Sequence, residues 1–351
     1  MVTAVATLTN PVNTIYQTRL LRVASYYCTH FIGTYPGVVS SHNGSFTVTW
    51  RRFDELTPTT TALTPLTGAL SLPTRTEIAV AVTDNTATLS KYGQHVIINE
   101  EADLSNYDGS IDEIVKSLAH QAGRSLNRLQ RNIEEDNTTL IYAGGVSADT
   151  DVQSKITADL IENATNTMEV NGARMFSPGT NGSENVGTLP VRESYWMICH
   201  THVKADVRKL PGFISVEKYG GAVPGIQPGE FGSVGDVRCL ATQEASVDAN
   251  VGGAVNGTRS TGGSLNDLYT CLIFGQEAYA AVSLDTELIK DVYKSGDNVP
   301  GIILVSTMRG GSGVADSLDE VRKLGWKAWH TGDVLNANWA RGLRVACGTL
   351  S

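Results

Sequence analysis

The sequence predicts an α+β protein built around a long β-hairpin and one unusually long helix. Three observations support this prediction. Within residues 45–99, apolar and polar side chains alternate with the period of two that half-buried strands show. From Ile111 to Ile133, apolar residues recur every three or four positions, as they do along one face of a helix. Short strand-like runs separated by turn residues follow in mixed order with helical patterns, which is typical of an α+β domain.

The hairpin is predicted from three alternating stretches. Its first strand is Ser45–Trp50, and the returning strands are Glu77–Thr83 and Ala87–Asn99. The tip between them, residues 56–74, has no charged residue and is rich in threonine and proline. Because structureless loops longer than about 15 residues are uncommon in compact domains, we expect a partner to hold this tip.

The long helix is predicted to begin at Ser110. Ser110 and Glu113 form a capping box, in which each side chain satisfies a backbone amide of the first turn. About 25 residues at 1.5 Å each give a rod of roughly 37 Å, about twice the usual helix length. We call this element the spine helix and expect sheets to lie against it.

The rest of the chain is predicted to alternate between helices and strands. A second amphipathic helix is expected over Asp151–Met168 and a short helix near Gln276–Ser283, whereas Val247–Ser264 reads as a surface loop. A strand pair with three tryptophans is expected to close a core between Trp326 and Cys347. Shorter strands are expected at Tyr195–Val203, Phe213–Lys218, Asp236–Thr242, Thr270–Phe274 and Gly301–Ser306.

Charge argues against a protein that mainly wraps nucleic acid. The net charge is -9 and the sequence pI is near 5.3. The first 53 residues nevertheless contain four arginines and no acidic residue. They form a basic arm, with an amphipathic helix predicted over Thr14–His30, that could meet DNA phosphates or an acidic neighbouring copy.

Five scattered cysteines without CxxC spacing are expected to be reduced thiols in a cytosolic protein. The amino end lacks the pattern of a secretory signal, and no apolar run approaches the length that spans a bilayer. These observations predict neither secretion nor membrane insertion.

The motifs of common enzymes are absent or incomplete. The glycine-rich stretch Gly311–Asp316 lacks the third glycine of a dinucleotide site, and there is no GxxxxGK[ST], HExxH or GxSxG. His200 and His202 would share one face of a strand, as two metal ligands could, but no third ligand is visible. We therefore assign no catalytic, cofactor-binding or metal-binding residue.

The acidic run Glu134–Asp136 could suggest a hard cation. It lies close to Arg128 and Arg131 at the predicted end of the spine helix. Acids in such a position usually form a solvated or intersubunit charge network, and this is the interpretation that we adopt.

Several stretches, taken in order, resemble the major capsid proteins of tailed bacteriophages with the Hong Kong 97-like fold, and in particular the family of the N-four-like podovirus capsid proteins. The resemblance runs from about Thr14 to Cys347, and it depends on the order and spacing of its motifs. These motifs are Trp50–Phe53, Leu56–Pro58, Thr60-Thr61-x-Leu63, Ala87–Gly93, Gly325–Trp329 and Leu335–Trp339.

The resemblance implies a division of the chain into four parts. Residues 1–43 would be the N-terminal arm and residues 44–100 the extended loop, which lies across an adjacent subunit in this fold. Residues 101–145 and 315–351 would form the peripheral domain with the spine helix. Residues 146–314 would be the axial domain, whose loops meet around five-fold and six-fold axes.

By the same resemblance, the protein is structural and not an enzyme. It would assemble with itself into pentamers and hexamers of an icosahedral head that encloses double-stranded DNA, contacted non-specifically on the inner face. Its other expected partners are a separate scaffolding protein, since the loop begins too early to leave room for a fused one, a portal protein and optionally a decoration protein. It would be found in the virion capsid, and in the host cytoplasm during assembly. No cofactor or membrane is implied.

Some members of the family join the extended loop covalently to the peripheral domain through lysine and asparagine. Lys91 is the only lysine of the loop here and lies near its base, with Asn336 or Asn338 as candidate partners. We do not expect a crosslink. The predicted contacts between subunits are Trp50, Arg51, Arg52, Phe53, Leu63, Leu66, Arg128, Arg131, Glu134 and Glu135.

Two alternatives to a capsid protein stay open at this point. The first is another structural subunit of the virion, such as a tail-tube or decoration protein, although the long spine helix is unusual for the mostly stranded tube subunits. The second is a metal-dependent cytosolic enzyme that uses His200 and His202 as ligands.

Overall fold

Two mixed β-sheets, a separate two-stranded hairpin and one long helix make up the fold, which confirms the predicted α+β class. The computed structural model describes residues 29–40, 45–53, 56–60, 62, 78–105, 110–176, 193–219, 226–285, 302–307 and 320–349.

The described strands and helices are numbered in chain order. The strands are β1 (Tyr35–Ser40), β2 (Thr47–Phe53), β3 (Val82–Thr88), β4 (Ser90–Asn99), β5 (Leu140–Tyr142), β6 (Tyr195–His200), β7 (Phe213–Ser215), β8 (Glu230–Val234), β9 (Val237–Thr242), β10 (Val247–Asp248), β11 (Leu268–Phe274), β12 (Tyr279–Asp285), β13 (Ile302–Thr307), β14 (Val321–Val334) and β15 (Ala340–Ala346). The α-helices are α1 (Glu100–Ser105), α2 (Ser110–Asp136), α3 (Ala158–Val170) and α4 (Lys204–Val207).

The first sheet has five strands and is organised by β14, which is 14 residues long. β4 pairs with it antiparallel over residues 321–330. β13 pairs with residues 323–328 and β12 with residues 330–334, both antiparallel. β1 adds to β12 in parallel. One long strand therefore connects segments that are far apart in sequence.

The spine helix α2 packs on this sheet, as its periodicity predicted. It spans 27 residues, and its apolar stripe, including Val115, Ala122 and Leu126, is fully buried against Trp326 and its neighbours. The approach is close: a Cβ atom on Gly332 of β14 would lie 2.7 Å from Oε1 of Gln130. Burial of this stripe is what stabilises a helix of this length in place.

The second sheet has eight strands in the order β5-β15-β11-β6-β9-β8-β7, with β10 also paired to β11. Helix α3 covers it through Ile161, Ala164 and Met168, which are at most 2% exposed. Four cysteines are free thiols buried in this core, and Cys28 lies outside the described residues. These four are Cys199, Cys239, Cys271 and Cys347.

The prediction of a helix near Gln276–Ser283 is wrong, because this segment contributes to strand β12. Its alanines favour a helix locally, but Ala280 and Ala281 are buried between β1 on one side and β14 on the other. The hydrogen bonds and packing of a central strand outweigh the weak propensity of the isolated sequence.

Other boundaries also differ from the predictions. Residues 78–81 are not in a strand, so the returning strand of the hairpin begins at Val82 rather than at Glu77. β4 leaves the hairpin and joins the first sheet. The C-terminal strands β14 and β15 exist as predicted but do not pair with each other, because they belong to different sheets. The helix predicted from Asp151 begins at Ala158, where Thr157 accepts a capping hydrogen bond from the Leu160 amide.

Most of the predicted arm helix Thr14–His30 lies outside the described residues. Its described end, Thr29–Phe31, is a short 3-10 helix whose three residues are buried. The four-part division of the chain stays a prediction. The pairing of β12 and β13 with β14 does connect the segments predicted as axial and peripheral. No helix in the described part of the chain is long and apolar enough to cross a bilayer.

His330 of β14 makes the stability of the core around the five-stranded sheet depend on pH. It is 1% exposed, and its ring contacts Phe31 edge-on at 5.3 Å. Burial lowers the pKa of His330 from 6.5 to about 4, because the charged imidazolium loses its hydration. The unfolded chain therefore takes up the proton first as the pH falls. The stabilisation from neutral His330 is complete above pH 6.5 and is lost between pH 6.5 and about 4.

We expect His330→Leu to reduce the loss of stability between pH 7 and pH 4.5 by about 2–3 kcal/mol. The measurement is urea unfolding at both pH values. His120→Gln, at an exposed position of the spine helix, is the control and should leave the difference unchanged. An equal loss of stability in His330→Leu and in the unaltered chain would contradict this role.

Candidate subunit interface

The hairpin β2–β3 projects as its own two-stranded sheet, with Thr47 opposite Thr88 and Phe53 opposite Val82. Burial alternates strictly along β2. Val48 and Trp50 are half-buried and pack against a small cluster formed by Leu89, Val282 and Trp329 of the body. The predicted contact residue Trp50 therefore attaches the hairpin to its own chain.

The opposite face of the hairpin is exposed and partly apolar. Phe53 is 65% exposed and its cross-strand neighbour Val82 is 46% exposed. Phe46, Ile78 and Val80 add further exposed apolar side chains nearby in sequence. Exposed apolar side chains on paired strands are a common feature of protein–protein contacts.

The two arginines of β2 point in different directions. Arg51 lies on the exposed face and forms a bidentate ion pair with Asp84 of β3, at 2.8 and 2.9 Å. This pair raises the pKa of Arg51 and lowers the pKa of Asp84. Arg52 faces the body and donates to the Leu335 carbonyl at 3.2 Å.

In the C-terminal half of the spine helix, three arginines converge on Glu244. Arg124 and Arg128 donate to its carboxylate, and Arg131 donates to its backbone carbonyl at 2.8 Å. Burial alone would raise the pKa of Glu244, but the two guanidinium groups outweigh it and lower the pKa. Arg124 and Arg128 remain about half exposed, at 51% and 54%.

The predicted contact residues Glu134 and Glu135 are engaged within the chain. Glu134 is 1% exposed and holds His30 through an Nδ1–Oε2 contact of 2.8 Å, while Gln130 donates to its other oxygen at 3.0 Å. Burial raises the pKa of Glu135, and the opposing effect of Arg131, 3.9 Å away, is smaller. The contact with Glu134 therefore attaches His30 to the spine helix. Leu63 and Leu66 lie outside the described residues, and contacts of all ten residues with a second copy stay a prediction.

His200 and His202 come together at the end of β6, with ring centroids 4.3 Å apart. His202 Nδ1 and the Tyr269 hydroxyl lie 3.0 Å apart. Burial lowers the pKa of His200 to about 4. Cys199 points into the core, where its thiol meets the Leu240 carbonyl. Among the described residues, no three His, Cys, Asp or Glu side chains are arranged to hold a metal ion.

Two residues that hold these contacts together were not predicted from the sequence. Asn85 of β3 donates to the carbonyls of Val334 and Leu335, and Glu244 collects the three arginines. No local pattern identifies Asn85, because its partners are about 250 residues away. The spacing of Arg124, Arg128 and Arg131 on one helical face could have indicated a shared acidic partner.

Comparison with solved structures identifies the fold. No protein-family model matches the chain, and no curated protein matches its sequence. The chain is similar in structure to the capsid of Ralstonia phage GP4, with a TM-score of 0.63, 8% identity, and coverage of 92% of this chain and 89% of that chain. It is also similar to the capsid subunit of cyanophage Pam1, with a TM-score of 0.54, 12% identity, and coverage of 92% and 93%.

A third similar structure is the head of Helicobacter pylori bacteriophage KHP40, with a TM-score of 0.54, 11% identity, and coverage of 92% of this chain and 91% of that chain. The narrower assignment to the N-four-like family stays a prediction. The similarity covers about nine-tenths of each chain. The chain thus has the fold of bacteriophage capsid proteins, as the sequence resemblance predicted.

Proposed function

We propose that the chain is the major capsid protein of a tailed bacteriophage, a structural subunit and not an enzyme. The observation that carries this proposal is the similarity to the Ralstonia phage GP4 capsid over 92% of the chain. The hairpin, a two-stranded sheet separate from both large sheets, has little use in an isolated monomer. The exposed apolar face around Phe53 and Val82 fits a contact with a second copy.

In this function the chain assembles into pentamers and hexamers of an icosahedral shell around double-stranded DNA. Interfaces of order 2,000 Å² or more per subunit, repeated by symmetry, turn modest contacts into a closed container. A separate scaffolding protein, a portal protein and packaged DNA are the expected partners, with a decoration protein as an optional one. Assembly takes place in the host cytoplasm, and the product is the virion capsid.

Both alternatives are less well supported. A tail-tube subunit consists mostly of strands, whereas this chain has a 27-residue helix at the centre of one core. An enzyme built on His200 and His202 lacks a third ligand among the described residues, and the Tyr269 hydroxyl occupies the hydrogen-bonding position beside His202.

Electron microscopy of the chain, expressed alone and together with its scaffolding protein, tests the proposal. We expect closed shells, or rings of five and six subunits, in at least one of the two preparations. A small monodisperse species in both would contradict the capsid function. Metal analysis of that species would then test the enzyme alternative directly.

A further inference from the structure

Two side chains of the hairpin hold one short stretch of the body. Arg52 Nη1 donates to the Leu335 carbonyl at 3.2 Å. Asn85 Nδ2 donates to the Val334 carbonyl at 3.0 Å and to the Leu335 carbonyl at 3.2 Å. Arg52 lies on β2 and Asn85 on β3, so both strands of the hairpin are attached to the Leu335 carbonyl, and β3 is also attached to the Val334 carbonyl.

The stretch that they hold is a junction between the two large sheets, and residues 275–278 form another by joining β11 to β12. Val334 is the last residue of β14 in the five-stranded sheet, and Ala340 is the first residue of β15 in the eight-stranded sheet. The junction is itself fixed by amide hydrogen bonds from Leu335 and Asn336 to the Ala278 carbonyl, at 2.9 and 3.3 Å. A change in the relative position of the two sheets must therefore act on residues 335–339.

Besides these hydrogen bonds, the hairpin is attached to the body through Leu89, which joins β3 to β4 of the five-stranded sheet, and through its inner face. It forms a sheet of only two strands, which is marginally stable in isolation. Its inward face contributes Val48 and Trp50 to one small apolar cluster. Beside the hydrogen bonds lies a cleft of about 380 Å³ lined by Tyr35, Trp50 and Trp339, which leaves space for the hairpin to change its angle.

We propose that Arg52 and Asn85 form a clamp that couples the direction of the hairpin to the junction between the two sheets. When the clamp is closed, the hairpin projects at one angle, and a shift of the junction is transmitted to it. By reciprocity, a neighbour that pulls on the hairpin acts on the junction through the same hydrogen bonds. The clamp works through carbonyl groups, so the identity of the Leu335 side chain is not critical.

The consequence for assembly rests on the proposed function. If the exposed face of the hairpin contacts a second copy, the angle of the hairpin sets the angle between neighbouring subunits. A closed clamp then favours one curvature, and hence shells of one size. An open clamp permits several curvatures.

Hydrogen–deuterium exchange on the unassembled chain tests the clamp independently of any shell. The variant is Arg52→Ala with Asn85→Ala. The matched control is Arg51→Ala with Asp84→Ala, which removes the neighbouring exposed ion pair within the hairpin and leaves the clamp intact. We expect exchange to increase about tenfold or more at residues 47–53 and 82–88 in the clamp variant.

The same variant should also increase exchange at the amides of Leu335 and Asn336, which lie in the junction and donate to the Ala278 carbonyl. The control should change neither region by a comparable factor. Unchanged exchange at the junction would overturn the coupling, and equal effects of both double variants would overturn the special role of the clamp.

Particle size provides the second measurement. Co-expression with the scaffolding protein is expected to give shells of one diameter from the control and a broadened distribution from the clamp variant. A uniform diameter from the clamp variant would contradict the role in curvature. If the unaltered chain formed no shells, the capsid proposal would fail, whereas the exchange result would still decide whether the clamp exists.

Discussion

Replacing Phe53 with glutamate is expected to abolish shell formation and to leave the folded chain intact. Phe53 is 65% exposed at the outer face of β2, so its substitution removes almost no packing within the chain. We expect the free energy of unfolding to change by less than about 0.5 kcal/mol. In a contact with a second copy, the same phenyl ring would bury apolar area that contributes about 2 kcal/mol. Its loss would weaken each contact about 30-fold.

The effect on assembly is larger than that factor, because every subunit of a shell repeats the weakened contact. Val170→Glu is the matched control: it also places a charge at an exposed apolar position, 88% exposed at the end of helix α3 and outside the hairpin strands. Electron microscopy and urea unfolding are measured for both variants. Normal shells from Phe53→Glu would show that this face is not the contact.

How much of this fold could be predicted depended on whether a pattern was local. The spine helix was predicted correctly because its apolar residues follow one helical face for 27 residues, which few other structures can satisfy. The strand β12 was predicted as a helix because its alanines carry no strand signal of their own. Its conformation is imposed by β1 and β14, which lie far away in sequence.

In the candidate interface, too, local patterns were predictable and contacts between distant residues were not. Alternation along β2 predicted a hairpin with an inner and an outer face, and both faces are observed. The alternation could not assign Arg51 and Arg52 to different roles. Their roles depend on their partners, which are Asp84 for Arg51 and the Leu335 carbonyl for Arg52. Glu134 was read as a surface acid, although His30, 104 residues away, makes it a buried one. The spacing of residues in the sequence predicts which side chains share a face of a strand or helix. The tertiary fold determines which residues those side chains contact.

Replacing Arg238 with alanine is expected to cost about 3–5 kcal/mol of unfolding free energy. Arg238 on β9 makes two hydrogen bonds to Glu230 on β8, at 2.7 and 2.6 Å, and its guanidinium lies 4.1 Å from the centre of the Trp196 ring. The Arg238 and Glu230 side chains are only 7% and 0% exposed. Without the arginine, a carboxylate stays buried in the eight-stranded sheet with no cation to offset its lost hydration.

The same geometry at the surface provides the contrast. Arg51 and Asp84 also form a bidentate pair, at 2.8 and 2.9 Å, but their side chains are 61% and 40% exposed, so water solvates either partner when the other is removed. Arg51→Ala should therefore leave urea unfolding almost unchanged. The double variant Arg238→Met with Glu230→Met should recover most of the lost stability, because it removes both charges and retains much of the buried volume. Two results would show that the buried unpaired charge does not cause the loss of stability in Arg238→Ala. One is an equal loss of unfolding free energy in Arg51→Ala, and the other is a double variant as unstable as Arg238→Ala.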